Sequence, residues 1–371
     1  LTDIFRFNCT TILSAFINWF VGTMALITGY ALIMSGGKTI MSVFTFSGLI
    51  FLFIKRNEIK PIRFYAKKIT HEILYMLGFS VLAYLFFIFQ VIDFQNNAFK
   101  PVYNDFFLYA TFIDSLKLWG SEHIFTSVSY FFNDFRNGVM PYHFPELWLT
   151  AFVSDIFNCP SVTTYVLITS SVTSGLFAMA IASVFEPIVK NKILLFSIAI
   201  SLTYLSGFFI PLFNSIAGTD IEWYSWVSIS GYSGIKFAFS YIFIILSFIV
   251  FTKYDWLGGL VLFSFVPFVS VGLLPGIWGG LSLYALGIIL INRFKNSKEY
   301  IILMIVISLE ATYYFLFYRF WGISYTDKYA SSLIISKILP PANDLFVSYK
   351  NLVANGLVYW VRTYLFYIPF L

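Results

Sequence analysis

The sequence predicts an all-α, polytopic helical membrane protein of about ten transmembrane helices. Composition is the first indication: the 371 residues are 59% hydrophobic and 11% charged, whereas soluble chains carry about a quarter charged residues. The second is a mean hydropathy of +0.82, built from apolar runs that recur along the whole length. The third is that the basic residues between those runs fall on alternate connections, as the positive-inside rule requires. The entire chain, 1–371, therefore reads as a single membrane domain.

The first run, 11–34, ends at Ser35-Gly36-Gly37, and the second, 39–54, ends at Lys55. Between the second and third runs lie Lys55, Arg56, Lys60, Arg63, Lys67 and Lys68. This is the most basic segment, so it is assigned to the cytoplasm, with the N-terminus inside. The run 71–92 then crosses outward, and 93–161 becomes a long first extracytoplasmic loop. Run 162–188 returns to Lys190 and Lys192, and 193–212 leads to a second outer loop, 213–234. Run 235–251 returns to Lys253. Runs 256–271 and 273–291 form an out-and-back pair ending at Arg293, Lys295 and Lys298. Run 301–320 exits to a third outer loop, 322–356, and an apolar stretch from Leu357 starts back. Gly258, Gly259, Pro267, Pro275, Gly276, Gly279 and Gly280 mark the pair 256–291 as the one expected to be broken or short.

The net charge of +5 reads as loop bias in a membrane protein, so no nucleic-acid partner is expected. Cys9 and Cys159 fall on opposite faces in this topology, which excludes an intrachain disulfide. The first apolar run lacks a small-residue cleavage pattern and reads as a retained span. The chain opens on Leu1 and stops at Leu371 inside an apolar run, so it is expected to be incomplete at one or both ends. The placement expected is the bacterial cytoplasmic membrane, with membrane lipids as neighbours.

Chemistry concentrates in 102–160, which holds two of the three histidines, His123 and His143, and the carboxylates Asp105, Asp114, Glu122, Asp134, Glu146 and Asp155. Segments 105–118 and 146–157 mix apolar and charged positions at helical spacing and suit amphipathic helices along a membrane surface. Asp105 is either a general base for an acceptor hydroxyl or a helix cap or surface acid. Pro141-Tyr142-His143-Phe144-Pro145-Glu146-Leu147-Trp148 sets a titratable histidine and a hydroxyl in a proline-fixed segment, with Pro145 opening a helix and Glu146 in its first turn. An interfacial anchor is the other reading of that cluster. In the second outer loop, Asp220 and Glu222 stand beside Trp223, Tyr224 and Trp226, a composition suited to sugars. Lys236, Glu310, Arg319 and Arg362 lie in or beside spans. An ionisable group deep in a bilayer costs about 2.5–3.5 kcal/mol, so it is a functional candidate by default; the cations can alternatively snorkel to headgroups. No zinc-binding motif occurs, and no internal repeat is evident.

Asn104-Asp105 with Leu108 to Ala110, then Leu116, Gly120 and Glu122, and finally Pro141 to Trp148, give 92–188 a pattern that resembles the GT-C superfamily of integral-membrane glycosyltransferases. The last segment is similar to uncharacterised bacterial multi-span proteins with a Tyr-His-x-x-Glu-Leu-Trp signature. The resemblance implies transfer of a sugar from a polyprenyl-phosphate donor to a glycan, lipid or protein acceptor on the outer face. It makes Asp105 the base, with His143 and Glu146 completing the catalytic set. Tyr142, Asp220, Glu222, Lys236 and Arg362 would bind substrate, Lys236 or Arg362 neutralising the departing phosphate. No cofactor is required, and a divalent metal is optional. Two other readings stand beside it: a polysaccharide polymerase or O-antigen ligase, and a secondary transporter using Glu310 as its coupling acid.

Overall fold

Apolar runs of this length leave the backbone no partner but itself, and the helix is the local solution that pairs every N–H and C=O. The computed structural model describes residues 11–54, 66–93, 98–99, 104–120, 122, 144–204, 238–293 and 297–321. All belong to one unit, Leu1–Gly322. They form α1 (Thr11–Ser35), α2 (Ser42–Ile54), α3 (Ala66–Val91), α4 (Asn104–Trp119), α5 (Pro145–Phe157), α6 (Ser161–Phe185), α7 (Lys192–Tyr204), α8 (Ala238–Lys253), α9 (Trp256–Ser264), α10 (Val266–Val269), α11 (Leu274–Ile291) and α12 (Lys298–Trp321). Besides these, among the described residues, there is a two-residue antiparallel ladder pairing Ile92 with Phe99 and Asp93 with Ala98. The architecture is all-α, as the sequence predicts.

Each predicted apolar run between 11 and 320 contains a helix among the described residues, with non-helical residues at 39–41, 92, 186–188 and inside 256–271. Four helices are long and apolar enough to cross a membrane: Thr11–Ser35, Ser161–Phe185, Val271–Ile291 and Lys298–Trp321. Shorter apolar helices occupy Ile73–Leu85, Lys192–Thr203, Ala238–Lys253 and Trp256–Val269.

Helix ends follow local chemistry. Gly36 and Gly37 take φ of 59° and 88°, and the Gly37 N–H returns to the Leu32 carbonyl at 3.0 Å. This left-handed ending stops α1 where glycine carries no Cβ penalty. Asn191 caps α7 through the N–H of Ile193 at 2.9 Å, and Asp255 caps α9 through the N–H of Gly258 at 2.9 Å. The pair expected to be broken is broken. After Ser264 the helix restarts only for Val266–Val269, with Pro267 near its start, and a short 3-10 turn leads into α11.

The core is centred on α6, 89% of whose apolar window is buried, against 22% for α11 and α12. Its sequence explains that position. Ser170, Ser171, Thr173, Ser174, Gly175, Ala178, Ala180, Ala182 and Ser183 are small, so neighbouring backbones come close. A Cβ on Gly175 would stand 3.0 Å from the Ser80 backbone nitrogen of α3. The hydroxyls bond back along their own helix, Thr173 to the Thr169 carbonyl at 2.9 Å and Ser183 to that of Met179 at 2.8 Å. A π-turn at Thr164–Thr169 opens the helix enough for Ser170 to reach the Tyr165 carbonyl at 2.8 Å.

Contacts at the two ends orient the bundle. At one, the Ile12 N–H donates to Glu186 at 3.2 Å, Lys192 pairs with Glu186 at 2.9 Å, and Lys253 reaches the Ser183 carbonyl at 3.2 Å. The start of α12 joins them through Tyr300, 5.2 Å from Trp256. At the other end the turn after α1 meets Glu122, and Lys38 lies 5.1 Å from the Trp321 ring. Lys190, Lys192, Lys253 and Lys298 therefore share one end, opposite Glu122.

One expectation is corrected here. Segment 146–157 suited a helix lying on a surface with one wet face, but in α5 Pro145 through Ala151 are all buried. The cause is packing on several sides, by α1, α4 and the start of α6.

Candidate functional site

At the end bearing Glu122, α4 and α5 form a layer over α1 and the start of α6. In α4, Phe106, Tyr109, Phe112, Ile113 and Leu116 recur at helical spacing and are buried, while Phe107, Leu108, Leu118 and Trp119 are exposed. The exposed face also carries Thr111 and Asp114, so it is apolar at its two ends and polar between them. Phe106 and Tyr109 pack with tilted rings 5.8 and 5.5 Å from Tyr165, while Asp114 accepts a hydrogen bond from Ser161. In α5, Thr150 meets Thr169 at 2.8 Å and Ser154 meets Ser161 at 3.5 Å. Both helices thus run antiparallel to the first turns of α6, and their own first turns point the same way, inward along the bundle. Those first turns carry Asp105 and Glu146.

A polar chain binds the far ends of the two helices. Lys117 of α4 donates to Ser154 at 2.9 Å and lies 3.4 Å from Asp155 of α5. Asp155 also accepts from the Tyr30 hydroxyl of α1, and the Tyr30 ring packs edge-on against Trp148 and Phe152. Ser154 passes its own proton to the Cys159 carbonyl at 2.7 Å.

Glu122 is the junction of this end. It is fully buried and accepts from the Thr39 hydroxyl, from the Ile40 N–H at 2.7 Å and from the Trp148 indole N–H at 2.7 Å. One side chain thereby ties the turn after α1 to α5. Gly120 lets the chain arrive there, because its φ is 61° and a Cβ would collide with the Met34 carbonyl. Burial pushes the Glu122 carboxyl up to about 7, against the three hydrogen bonds that draw it down. From Thr39 the network continues: Ser42 donates to the Thr39 carbonyl at 2.6 Å and shares a 2.6 Å hydrogen bond with the Tyr313 hydroxyl. Ser42 and Tyr313 line a hollow of about 210 Å³ with Gly37, Leu316, Phe317, Phe320 and Trp321.

Of the residues singled out from the sequence, Glu146 is described in full and is completely buried in the first turn of α5. Its carbonyl accepts from Thr150 at 2.7 Å. Asp105 is placed by its backbone in the first turn of α4. Tyr142, His143, Asp220, Glu222, Lys236 and Arg362 lie outside the described residues, as does His123. Among the described residues no three His, Cys, Asp or Glu side chains converge. Glu310, midway along α12, is buried against Ser264.

Lys117, Asp155 and Tyr30 are residues that sequence reasoning left without a role, and Glu122 entered it only as a possible helix cap and as part of the resemblance pattern. A signal existed for Glu122 alone: an acid two places beyond a glycine, at the end of an amphipathic helix, is a stranded charge unless something receives it. No protein-family model, curated protein or solved structure matches this chain. The class defined by fold and site is therefore an all-helical protein with membrane-length apolar helices and an acid-bearing two-helix layer at one end.

Proposed function

We propose that this protein is a GT-C-like glycosyltransferase of about ten spans, N-terminus inside, in a bacterial cytoplasmic membrane. It moves a sugar from a polyprenyl-phosphate donor to a glycan, lipid or protein acceptor at the outer face. The observation that supports this most is the parallel α4–α5 layer. Two helices that each open on an acidic residue bring those first turns to the same side of one layer. The exposed Phe107, Leu108, Leu118 and Trp119 of α4 suit contact with the lipid tail. The lysines gathered at the opposite end agree with that end facing the cytoplasm.

In this reading Asp105 takes the proton of the acceptor hydroxyl as its oxygen attacks the anomeric carbon. The carbon–phosphate-oxygen bond breaks, configuration inverts and polyprenyl phosphate departs, neutralised by Lys236 or Arg362. His143 and Glu146 shape the site, while Tyr142, Asp220 and Glu222 hold the sugars. The test is transfer by purified protein from a panel of polyprenyl-phosphate sugars, beside the variant Asp105→Asn. The variant should lose about 10²–10⁴-fold in rate, the usual share of a general base. Transfer left intact in Asp105→Asn would refute that assignment of the base.

A further inference from the structure

Glu310 is the thirteenth residue of the 24-residue α12, about 18 Å from the helix start at 1.5 Å per residue. It is 6% exposed. Oε1 lies 2.9 Å from the Ser264 hydroxyl, and Oε2 has no hydrogen-bond partner among the described residues. Ser264 is the last residue of α9, where the broken pair interrupts its helix.

The hydrogen atoms at this junction can be counted. Ser264 owns one hydroxyl proton, and its oxygen lies 2.7 Å from the Val261 carbonyl and 2.9 Å from Glu310. A carbonyl can only accept, so the proton of Ser264 belongs to Val261 in the shorter contact. The same proton cannot fully serve the Glu310 contact as well, which a hydrogen on Glu310 would complete. The Trp278 indole N–H donates to the Ser264 carbonyl at 2.7 Å and also lies within reach of the Glu310 carboxyl. No charge compensates an ionised Glu310 from the elements packed on it. α9, α10 and α11 contain no Lys, Arg or His. The titratable groups facing this seam are Tyr313 and Tyr314 on α12 itself, with Tyr284 further along α11. The charges of α12 lie at its ends, Lys298 and Glu299 at one and Arg319 at the other. An uncompensated carboxylate is among the costliest groups to bury.

We propose that Glu310 is a proton-binding site in the middle of the bundle. In the packed conformation its carboxyl is neutral and donates from Oε1 to Ser264, which donates on to Val261. Loss of the proton leaves a carboxylate that no basic side chain of α9, α10 or α11 compensates, so the seam between α9–α10 and α12 loosens. Proton uptake from water closes it again. The site is independent of sugar transfer, since it shares no residue with the α4–α5 layer.

The test uses the full chain in lipid vesicles, treated with a hydrophobic carbodiimide, which couples to protonated carboxylic acids, followed by peptide mapping. Glu310 should be labelled on the order of tenfold more than the surface carboxyls Glu299 and Asp255, because its proton is held in the contact with Ser264. Labelling should fall as the medium is made alkaline, and Glu310→Gln should abolish that adduct alone. A second readout guards against poor reagent access. Glu310→Gln keeps a neutral donor and acceptor and should melt close to wild type, whereas Glu310→Ala should melt well below both. Glu310 unlabelled while Glu299 reacts, together with Glu310→Gln as unstable as Glu310→Ala, would overturn the proposal.

Discussion

Replacing Glu122 by alanine removes the acceptor of three hydrogen bonds in a fully buried place. Two of the donors, the Ile40 N–H and the Trp148 indole, lose this acceptor, and each orphaned buried donor costs about 1–3 kcal/mol. The variant should therefore lose about 2–6 kcal/mol, a large part of the roughly 5–15 kcal/mol of a typical domain. Glutamine separates charge from shape. It keeps one carbonyl oxygen for Trp148 or Thr39, but its NH₂ faces the Ile40 N–H. The sign of the pH dependence follows from the raised folded-state value. The unfolded carboxyl titrates near 4.5 and the folded one at about 7, so between those values the folded state binds the extra proton. The stability this group contributes is full below about 4.5 and is lost as pH rises through about 7. The interval amounts to about 3 kcal/mol. Thermal unfolding in detergent, followed by tryptophan fluorescence from mildly acid to mildly alkaline pH, should show wild type falling relative to Glu122→Gln across this window. Parallel curves for the two proteins would refute the reasoning, because they would mean that Glu122 is hydrated and titrates normally.

Three further outcomes are expected. Gly259→Ala puts a Cβ 2.6 Å from the Phe251 Cα, so α8 and α9 must part; the overpacking should cost about 1–3 kcal/mol and lower the melting temperature of the detergent-solubilised protein. Tyr30→Phe leaves Asp155 with Lys117 at 3.4 Å but without its hydroxyl donor. Because Asp155 faces solvent, the loss should be about 0.5–1 kcal/mol, and a double-mutant cycle with Asp155→Asn should show coupling of similar size. Gly120→Ala combines a left-handed φ of 61° with collision against the Met34 backbone; it should sharply reduce the yield of monodisperse protein in gel filtration, while Gly36→Ala, with nothing within 4 Å, should be milder.

Much of the fold is visible in the chain because the controlling interactions are local. Hydropathy marks 11–34 and 301–320 as helices; Ser35-Gly36-Gly37 ends the first with left-handed glycines. The glycines and prolines between 256 and 291 announce the interruption found between Ser264 and Leu274. Segment 105–118 shows its helix through the spacing of Phe106, Tyr109, Phe112, Ile113 and Leu116. The site was less legible because its partners are remote. Glu122 meets Thr39 across 83 positions and Trp148 across 26, and nothing in the neighbourhood of any of the three states that they meet. Asp155 similarly finds Tyr30 across 125 positions.

Burial of α5 shows the same division. Its two acids, Glu146 and Asp155, set among apolar residues suit a surface, yet α1, α4 and the start of α6 enclose its first two turns. Which segments become helices, and where each stops, is decided by side-chain hydrophobicity and backbone preference within a few residues. Which of its buried acids tie the helices together, and which is left at a helix break without a counter-charge, depends on distances across the bundle. Those distances exist only once the helices have packed.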